Sequence, residues 1–536
     1  VTDQAARIEA LADAHRSRVA SSGTGSMDDR TWADLHMDAV FTAIDHTAST
    51  LGRQALYHRL RTTPLGDHLD AFEALVERMA TDKPARERAK RALGRLRDAH
   101  GYDLWWLAEQ DALDTRPWYL LFPLLTAATA SLLLLLLTPW WPRVVPLLVV
   151  TMITNLIVRF STDKRVLGVA GAFRQLAPVI ATAQALRFLH GTGIDPITGP
   201  LQSDVPKLGR LKTIARWVSG DPLMLAVSPN PVAVILSDFS NTIYDYLNLA
   251  FLLDANGVYF GAGQLQTHGA SLLRVIAAMG DVDAAISVAA FRAAGDDWTR
   301  PAFVPAGTPA RLTEVRHPLV VDAVPNTIAL AAGHGALITG SNMSGKSTFL
   351  RTVGVAAVMG QTINTCLAAE YTAPVFHVRS CIGRADDLLA GKSYYIVEVE
   401  SLLELVQASA LSAPHLFLLD ELFRGTNAVE RIAAGQAVLE ALLIGPGGRS
   451  HHVALAATHD GELVDLLPET YLPYHFGDQV GPDGLTFDHR LQTGPATTRN
   501  AITLLRIHGA PQSLVDRATS CAATLDRQRR VASDRS

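Results

Sequence analysis

Cysteine is scarce in this chain of 536 residues: Cys366, Cys381 and Cys521 are too few and too scattered for a disulfide framework or a zinc site, which suits a reducing compartment. A global basic field is also missing. With a net charge of −5 and a pI near 6.4, any grip on nucleic acid must come from a local patch. Lysine is sparse beside arginine, a compositional bias that says nothing about function. Residues 1–30 mix Asp, Glu, Arg and Ser without an apolar run, so no secretory signal is expected in them. No internal repeat is found, and the length predicts two to four domains rather than one.

What the chain does have begins with a phosphate-cradling loop. Gly340-Ser341-Asn342-Met343-Ser344-Gly345-Lys346-Ser347-Thr348 gives each position a mechanical reason. Glycines turn successive N–H groups toward phosphates, Lys346 reaches the β/γ oxygens, and the Ser347 hydroxyl ligates Mg²⁺. The apolar strand Ala336–Thr339 precedes the loop, and a helix starts at Thr348, whose N-terminal dipole favours bound anions. ATP and Mg²⁺ are therefore the expected ligands.

Two further strands complete an ATPase set. Leu416-Phe417-Leu418-Leu419 runs into Asp420, expected to hold the Mg²⁺ shell, and Glu421, expected to polarise the attacking water. Val453–Ala457 leads through Thr458 to His459, set to contact the γ-phosphate. A histidine at a strand end is more often structural, and apolar runs before Asp-Glu occur in ordinary strands. The three motifs in order carry the reading.

A different signal lies upstream. Trp118–Leu137 is uncharged and about 30 Å long as a helix, enough to cross a hydrocarbon core. Residues 138–143 make a turn, and Val144–Val158 supplies a return limb, with Asn155 set to hydrogen-bond across the pair. Arg86, Arg88, Lys90, Arg91, Arg95, Arg97 and Arg116 precede the hairpin and Arg159, Lys164 and Arg165 follow it, against Arg143 alone in its loop. That asymmetry predicts a transmembrane hairpin in the inner or plasma membrane, in contact with lipid through residues 116–160, with both flanking parts and the ATPase domain cytoplasmic. The competing reading is a buried hairpin in a large soluble core.

The remaining pattern is mainly helical. Apolar spacing at Leu35, Val40, Phe41, Ile44, Leu51, Leu56 and Leu60 predicts helix from Trp32 to about Arg97. Helices are also expected over Val166–His190 and Asn241–Arg292, with a Gly/Pro-rich loop over Gly191–Gly209. Pro301, Pro305 and Pro309 mark a linker. The expected organisation is a polar tail or weakly ordered helix (1–30), a helical core in two parts (31–115 and 161–300) around the hairpin (116–160), an ATPase domain (301–517) and a disordered tail (518–536). In fold class this is an α/β P-loop ATPase domain of ABC type, preceded by a mainly α-helical lever or core domain with an inserted two-helix hairpin.

Several of these segments together resemble the MutS family, a branch of the ABC-type ATPases tied to DNA mismatch repair. They are Asn342-Met343 in the loop, Gly383 to Leu388, Gly391-Lys392-Ser393 followed by Val397-Glu398-Val399, and Asp420-Glu421-Leu422-Phe423-Arg424-Gly425-Thr426-Asn427. Arg316-His317-Pro318 matches the strand by which such proteins enter the domain, and Ile44 to Gly52 looks like the start of their helical core. The resemblance covers about residues 30–100 and 210–517. It implies a homodimer with composite ATP sites, in which Ser393 reaches the partner's ATP and Gly425-Thr426-Asn427 lies at the same interface; Glu421, Lys346, His459 and Ser393 would be the catalytic set. It also implies DNA as a partner. The chain departs from the family in having no Phe-x-Glu, the wedge used to sense a mispair, and a hairpin stands where levers would lead to a DNA clamp. The expected function is thus a membrane-anchored MutS-like ATPase without the N-terminal mismatch-recognition domain, handling DNA, or else an ATP-driven switch or scaffold with no DNA role. A transporter subunit is disfavoured, since one hairpin forms no translocation path and no Leu-Ser-Gly-Gly-Gln occurs.

Overall fold

The structure, a computed structural model, describes residues 2–22, 25–62, 68–96, 117–161, 164–218, 243–244, 246–295, 297–341, 343–382, 394–424, 426–445, 448–481, 484–495, 501–507 and 509–533. It is mixed α/β and mostly helical, and divides into two compact units: residues 1–25 with 44–295, and residues 26–43 with 296–536. The chain opens with α1 (Thr2–Ser22), α2 (Asp29–Asp34) and α3 (Met37–Ile44).

In the helical unit, α1 packs on α4 (Thr50–Arg61) and buries Leu11 and His15, so of the two forms expected for residues 1–30, weakly ordered helix or tail, most of the stretch takes the helix. Next come α5 (His68–Thr81), α6 (Lys83–Leu93), α7 (Leu121–Leu135), α8 (Trp141–Ser161), α9 (Lys164–Leu186), α10 (Asp195–Ser203), α11 (Gly209–Val218) and α12 (Leu253–Ala293). The loop expected at 191–209 is instead mostly helical, because Pro196 and Pro206 sit in first helical turns, where no N–H is needed.

The 41-residue α12 is the spine, packing against α4, α5, α9, α10 and α11. Two buried polar contacts, one an ion pair, fasten it. Arg292 forks onto both oxygens of Glu73 at 2.7 Å each. Asp283 accepts from the Ala48 N–H, the Ser49 N–H and the Ser49 hydroxyl, and Ser49 in turn caps α4 by accepting from the Gly52 N–H. A Cβ on Gly52 would lie 2.1 Å from Asp283 Oδ2, so glycine is what lets the two helices meet. Burial pushes the Asp283 carboxyl up to about 6, against the pull of those donors.

The helices α7 and α8 form the expected hairpin. The spans Trp118–Leu135 and Trp141–Arg159 are long and apolar enough to cross a membrane, and only 17% and 11% of them is buried. Leu134, Leu137, Trp140, Val150 and Ile157 are exposed. Asn155, by contrast, is fully buried and donates to Thr129 across the hairpin at 3.1 Å.

The second unit holds two main sheets. Strands β1 (Ala302–Phe303), β2 (Ala310–Val315), β3 (Asn326–Leu330) and β5 (Glu370–Ala373) form a four-stranded sheet in the order β1-β5-β2-β3. A six-stranded sheet has the order β12-β11-β4-β10-β7-β6, built from β4 (His334–Thr339), β6 (His377–Cys381), β7 (His415–Asp420), β10 (Val453–Ala457), β11 (Tyr471–Gly481) and β12 (Gly484–Thr493). All neighbours are parallel except the β11–β12 pair. A short hairpin, β8 (Ile444–Gly445) and β9 (Gly448–Arg449), stands apart. The helices α13 (Lys346–Ile363), α14 (Tyr394–Ala408), α15 (Ala428–Leu443) and α16 (Glu462–Leu466) connect the strands, and α17 (Ala501–Ile507) and α18 (Gln512–Ser533) follow. The strands β7 and β10 are buried on both faces, as continuous apolar runs require.

Two expectations change here. Residues 26–43 join this unit rather than a helical core beginning at 31, because Asp34 accepts from Ser380 Oγ at 2.7 Å and from the Ile382 N–H at 2.8 Å, while Arg351 Nε donates to the Asp34 carbonyl at 2.7 Å. The tail expected at 518–536 is helical through Ser533, a stretch free of Gly and Pro.

Candidate nucleotide site

Parallel strands place their carboxyl ends on one edge of the sheet, and the loops that follow converge there. The register aligns Ile338, Asp420 and Ala457 across β4, β7 and β10. The residues just beyond β4 and β10, and those at the end of β7, are those singled out from sequence.

The loop after β4 takes left-handed backbone at Gly340 (φ 144), Met343 (φ 71) and Gly345 (φ 114) before α13 starts at Lys346. A Cβ at Gly340 would come within 3.0 Å of the Phe476 carbonyl and Ser344 Oγ. Ser341 Oγ and Ser344 Oγ are buried without a hydrogen-bond partner. Glycine-dependent curvature, orphaned hydroxyls and an ammonium at the helix start fit a polyanion such as a triphosphate. Asn342 lies outside the described residues, and Thr348 lines the pocket beside the loop.

Lys346 Nζ donates to the carbonyls of Gly340 and Ser341, each at 2.9 Å. Burial lowers its pKa, assisted by Arg424 and opposed by Glu421 and Asp420. Ser347 Oγ donates to Asp420 Oδ2 at 2.5 Å. One hydroxyl and one carboxylate meeting on the phosphate side of a P-loop form a donor set suited to Mg²⁺.

Glu421 begins a tight turn in which it (φ 51) and Phe423 (φ 55) are both left-handed. Its N–H donates to the Ala457 carbonyl at 2.9 Å, and the Phe423 N–H donates to the buried Glu398 carboxylate of α14 at 2.7 Å. The Glu421 carboxylate is engaged at both ends, by Arg424 at 2.9 Å and by His459 Nε2 at 2.8 Å. Burial and the nearby Lys346 lower the His459 pKa, and Glu421 opposes them. A neutral ring donating Nε2–H to Glu421 satisfies this arrangement, and it leaves the Lys346 ammonium, 3.4 Å from the same nitrogen, on its loop carbonyls.

Beside the loop lies a pocket of about 440 Å³ whose walls include His317, Val321, Asn326, Met343, Phe476 and His489. Buried His317 accepts from the Leu319 N–H, and burial, with Arg351 and His36, pushes its pKa down to about 4. His489 Nδ1 sits 3.0 Å from the Ser344 carbonyl, and Asn326 donates to the His489 carbonyl at 3.0 Å. Sequence reasoning gave His317 no catalytic role and missed Asn326, Phe476 and His489; an alternating edge strand carries no mark of which residues face a ligand. The structure thus gathers Lys346, Ser347, Asp420, Glu421 and His459, whereas Ser393 and Gly425 lie outside the described residues.

The comparisons with known proteins bear on the same segment. The model of MutS domain V matches residues 336–526. Residues 336–526 are thus similar to MutS domain V, the part of the chain in which the site lies. It is 35% identical over 272 residues to DNA mismatch repair protein MutS 2 of Halobacterium salinarum, a match covering 49% of this chain and 30% of that protein. It is 34% identical over 261 residues to DNA mismatch repair protein MutS of Thermus thermophilus, covering 48% of this chain and 30% of that one. The chain therefore spans under a third of the length of these MutS relatives.

Proposed function

We propose that this chain is a MutS-family ATPase whose helical unit is anchored in a membrane, with the ATPase unit on the cytoplasmic side. The observation that carries the reading is the meeting of Lys346, the Ser347–Asp420 pair and the Glu421–His459 pair at one edge of the six-stranded sheet. Lys346 and the loop N–H groups bind the β/γ-phosphates, and Ser347 and Asp420 would hold Mg²⁺, which supplies charge to the same oxygens. Glu421 orients and polarises the attacking water once Arg424 gives up its hold on Oε2, and His459 keeps the carboxylate aimed. A homodimer, with Ser393 completing the partner's site, follows from the family resemblance.

The names of the relatives favour a role in DNA mismatch repair or related DNA handling. A second reading, an ATP-driven switch or scaffold without DNA, is favoured by the net charge of −5. Fluorescent-nucleotide binding and steady-state hydrolysis test the chemistry. Lys346→Ala is expected to abolish both, whereas Glu421→Gln keeps binding and loses at least about 100-fold in turnover. Wild-type turnover in Glu421→Gln overturns the assignment. Alkaline carbonate is expected to leave the protein in the membrane fraction. Binding to matched, mismatched and branched DNA over a salt series separates the two functions, since phosphate contacts appear in the slope.

A further inference from the structure

Three segments of the helical unit meet in one half-buried polar knot beside the hairpin, with Asn155 and Asn248 fully covered. Residues 246–251 are helical, Leu252 then turns left-handed (φ 49, ψ 45), and α12 begins at Leu253. Such a break takes carbonyls away from their helical donors. The Asp254 N–H, which would serve the Ala250 carbonyl in an unbroken helix, instead donates to Asn248 Oδ1 at 3.0 Å. The Ala250 carbonyl receives Asn155 Nδ2 of α8 at 2.7 Å, and the Phe251 carbonyl receives Thr126 Oγ1 of α7 at 2.7 Å and Asn256 Nδ2 at 3.0 Å. Asn256 Nδ2 also reaches Thr126 Oγ1 at 2.7 Å. A break exposed to water needs none of these amides and hydroxyls; one set in hydrocarbon needs its carbonyls met by neighbouring helices.

Position along the helices agrees. Asn155 lies four residues before Arg159, about 6 Å at the helical rise, so the carbonyls it and Thr126 serve are on the lipid side of the basic flank. Just past the break, Tyr244 Oη and Asn248 Nδ2 hold the Asp254 carboxylate at 2.7 and 2.6 Å, which ties residues 244 and 248 to the start of α12. Around the break, Ile243 (44%), Tyr246 (71%) and Leu247 (44%) are exposed. An apolar surface carrying a tyrosine at this depth matches the boundary between acyl chains and headgroups.

We propose that residues 243–244 and 246–253 are a third lipid-contacting element, a foot of α12 seated at the acyl boundary beside the hairpin, so that hairpin and spine are one membrane-seated body. This rests on the membrane reading above. The test uses full-length protein in phosphatidylcholine/phosphatidylglycerol vesicles, with Cys381 and Cys521 replaced by alanine and one new cysteine spin-labelled at a time: Tyr246→Cys in the foot, Leu134→Cys in the hairpin and Lys83→Cys on a solvent-exposed helix. Collision with oxygen reports lipid, collision with a nickel chelate reports water, and protection from both reports protein cover. The expected result is an oxygen-to-nickel ratio at Tyr246→Cys and Leu134→Cys at least about fivefold above that at Lys83→Cys. A lipid-like hairpin with a nickel-accessible or doubly protected Tyr246→Cys overturns the foot and leaves the membrane reading standing. A nickel-accessible Leu134→Cys overturns both.

Discussion

The two units use left-handed backbone and buried polar groups for opposite purposes. In the nucleotide-site unit, Gly340, Met343, Gly345, Glu421 and Phe423 depart from ordinary backbone within two short turns, and Met343, Gly345 and the Glu421 carboxylate line a pocket together with Lys346 and Ser347. In the helical unit Leu252 is, among the described residues, the left-handed one without glycine's freedom, and Glu73, Arg292, Asp283 and Asn155 are buried to join helix to helix. Strain beside a pocket aims groups at a ligand. Buried polar pairs between helices fix one packing out of many apolar alternatives, a role we assign to this unit as a hypothesis to be tested by the variants below.

If that contrast is right, the helical unit should be broken most severely by removing half of a buried ion pair. Arg292→Ala leaves Glu73 charged and buried, and is expected to cost about 3–5 kcal/mol in denaturant unfolding of the helical unit, with nucleotide binding retained. Loss of nucleotide binding in a variant whose helical unit stays folded would erase the distinction. A matched pair of glycines sharpens it. In Gly52→Ala the new Cβ meets the inner atoms of Asp283, and a loss of about 3 kcal/mol is expected from overpacking and the broken α4 cap. In Gly354→Ala of α13 the Cβ meets the chain ends of Leu418 and Leu35, which can move, and about 1 kcal/mol is expected. Equal losses in thermal melts would show that both interiors yield alike.

The smallest effect concerns pH. Asp283 titrates near 6 when folded and at the ordinary carboxylate value of 3.8 when unfolded, so between these limits the folded state holds more protons. Stability contributed by this group is therefore full below about 4 and falls as pH rises toward 6. Asp283→Asn is expected to remove that part of the slope of melting temperature against pH. An unchanged slope would mean that the three donors at Ser49 and Ala48 already keep the carboxylate ionised.

Legibility in the sequence followed the same division. Phosphate chemistry dictates residue types at fixed spacing, so Lys346, Ser347, Asp420, Glu421 and His459 could be named before any fold was known. Apolar periodicity exposed α12, uncharged length exposed the hairpin, and an asparagine inside an uncharged helix was enough to suggest the contact that Asn155 makes. Contacts between distant segments left no such mark. Asp34 meets Ser380 346 residues away, so nothing near position 34 says which unit it joins. Pro196 and Pro206 read as breakers because a sequence does not reveal which proline opens a helix. His489 looked like any residue of an alternating strand.

The spine contains no proline, and at the helical rise its 41 residues extend about 60 Å. A rod of that length works as a displacement amplifier: a tilt of about 5° at the Ala293 end sweeps the Leu253 end through roughly 5 Å, close to one helical turn. A rotation too small to notice at Ala293 thus becomes a displacement of about one helical turn at Leu253, where the foot proposed above meets the spine.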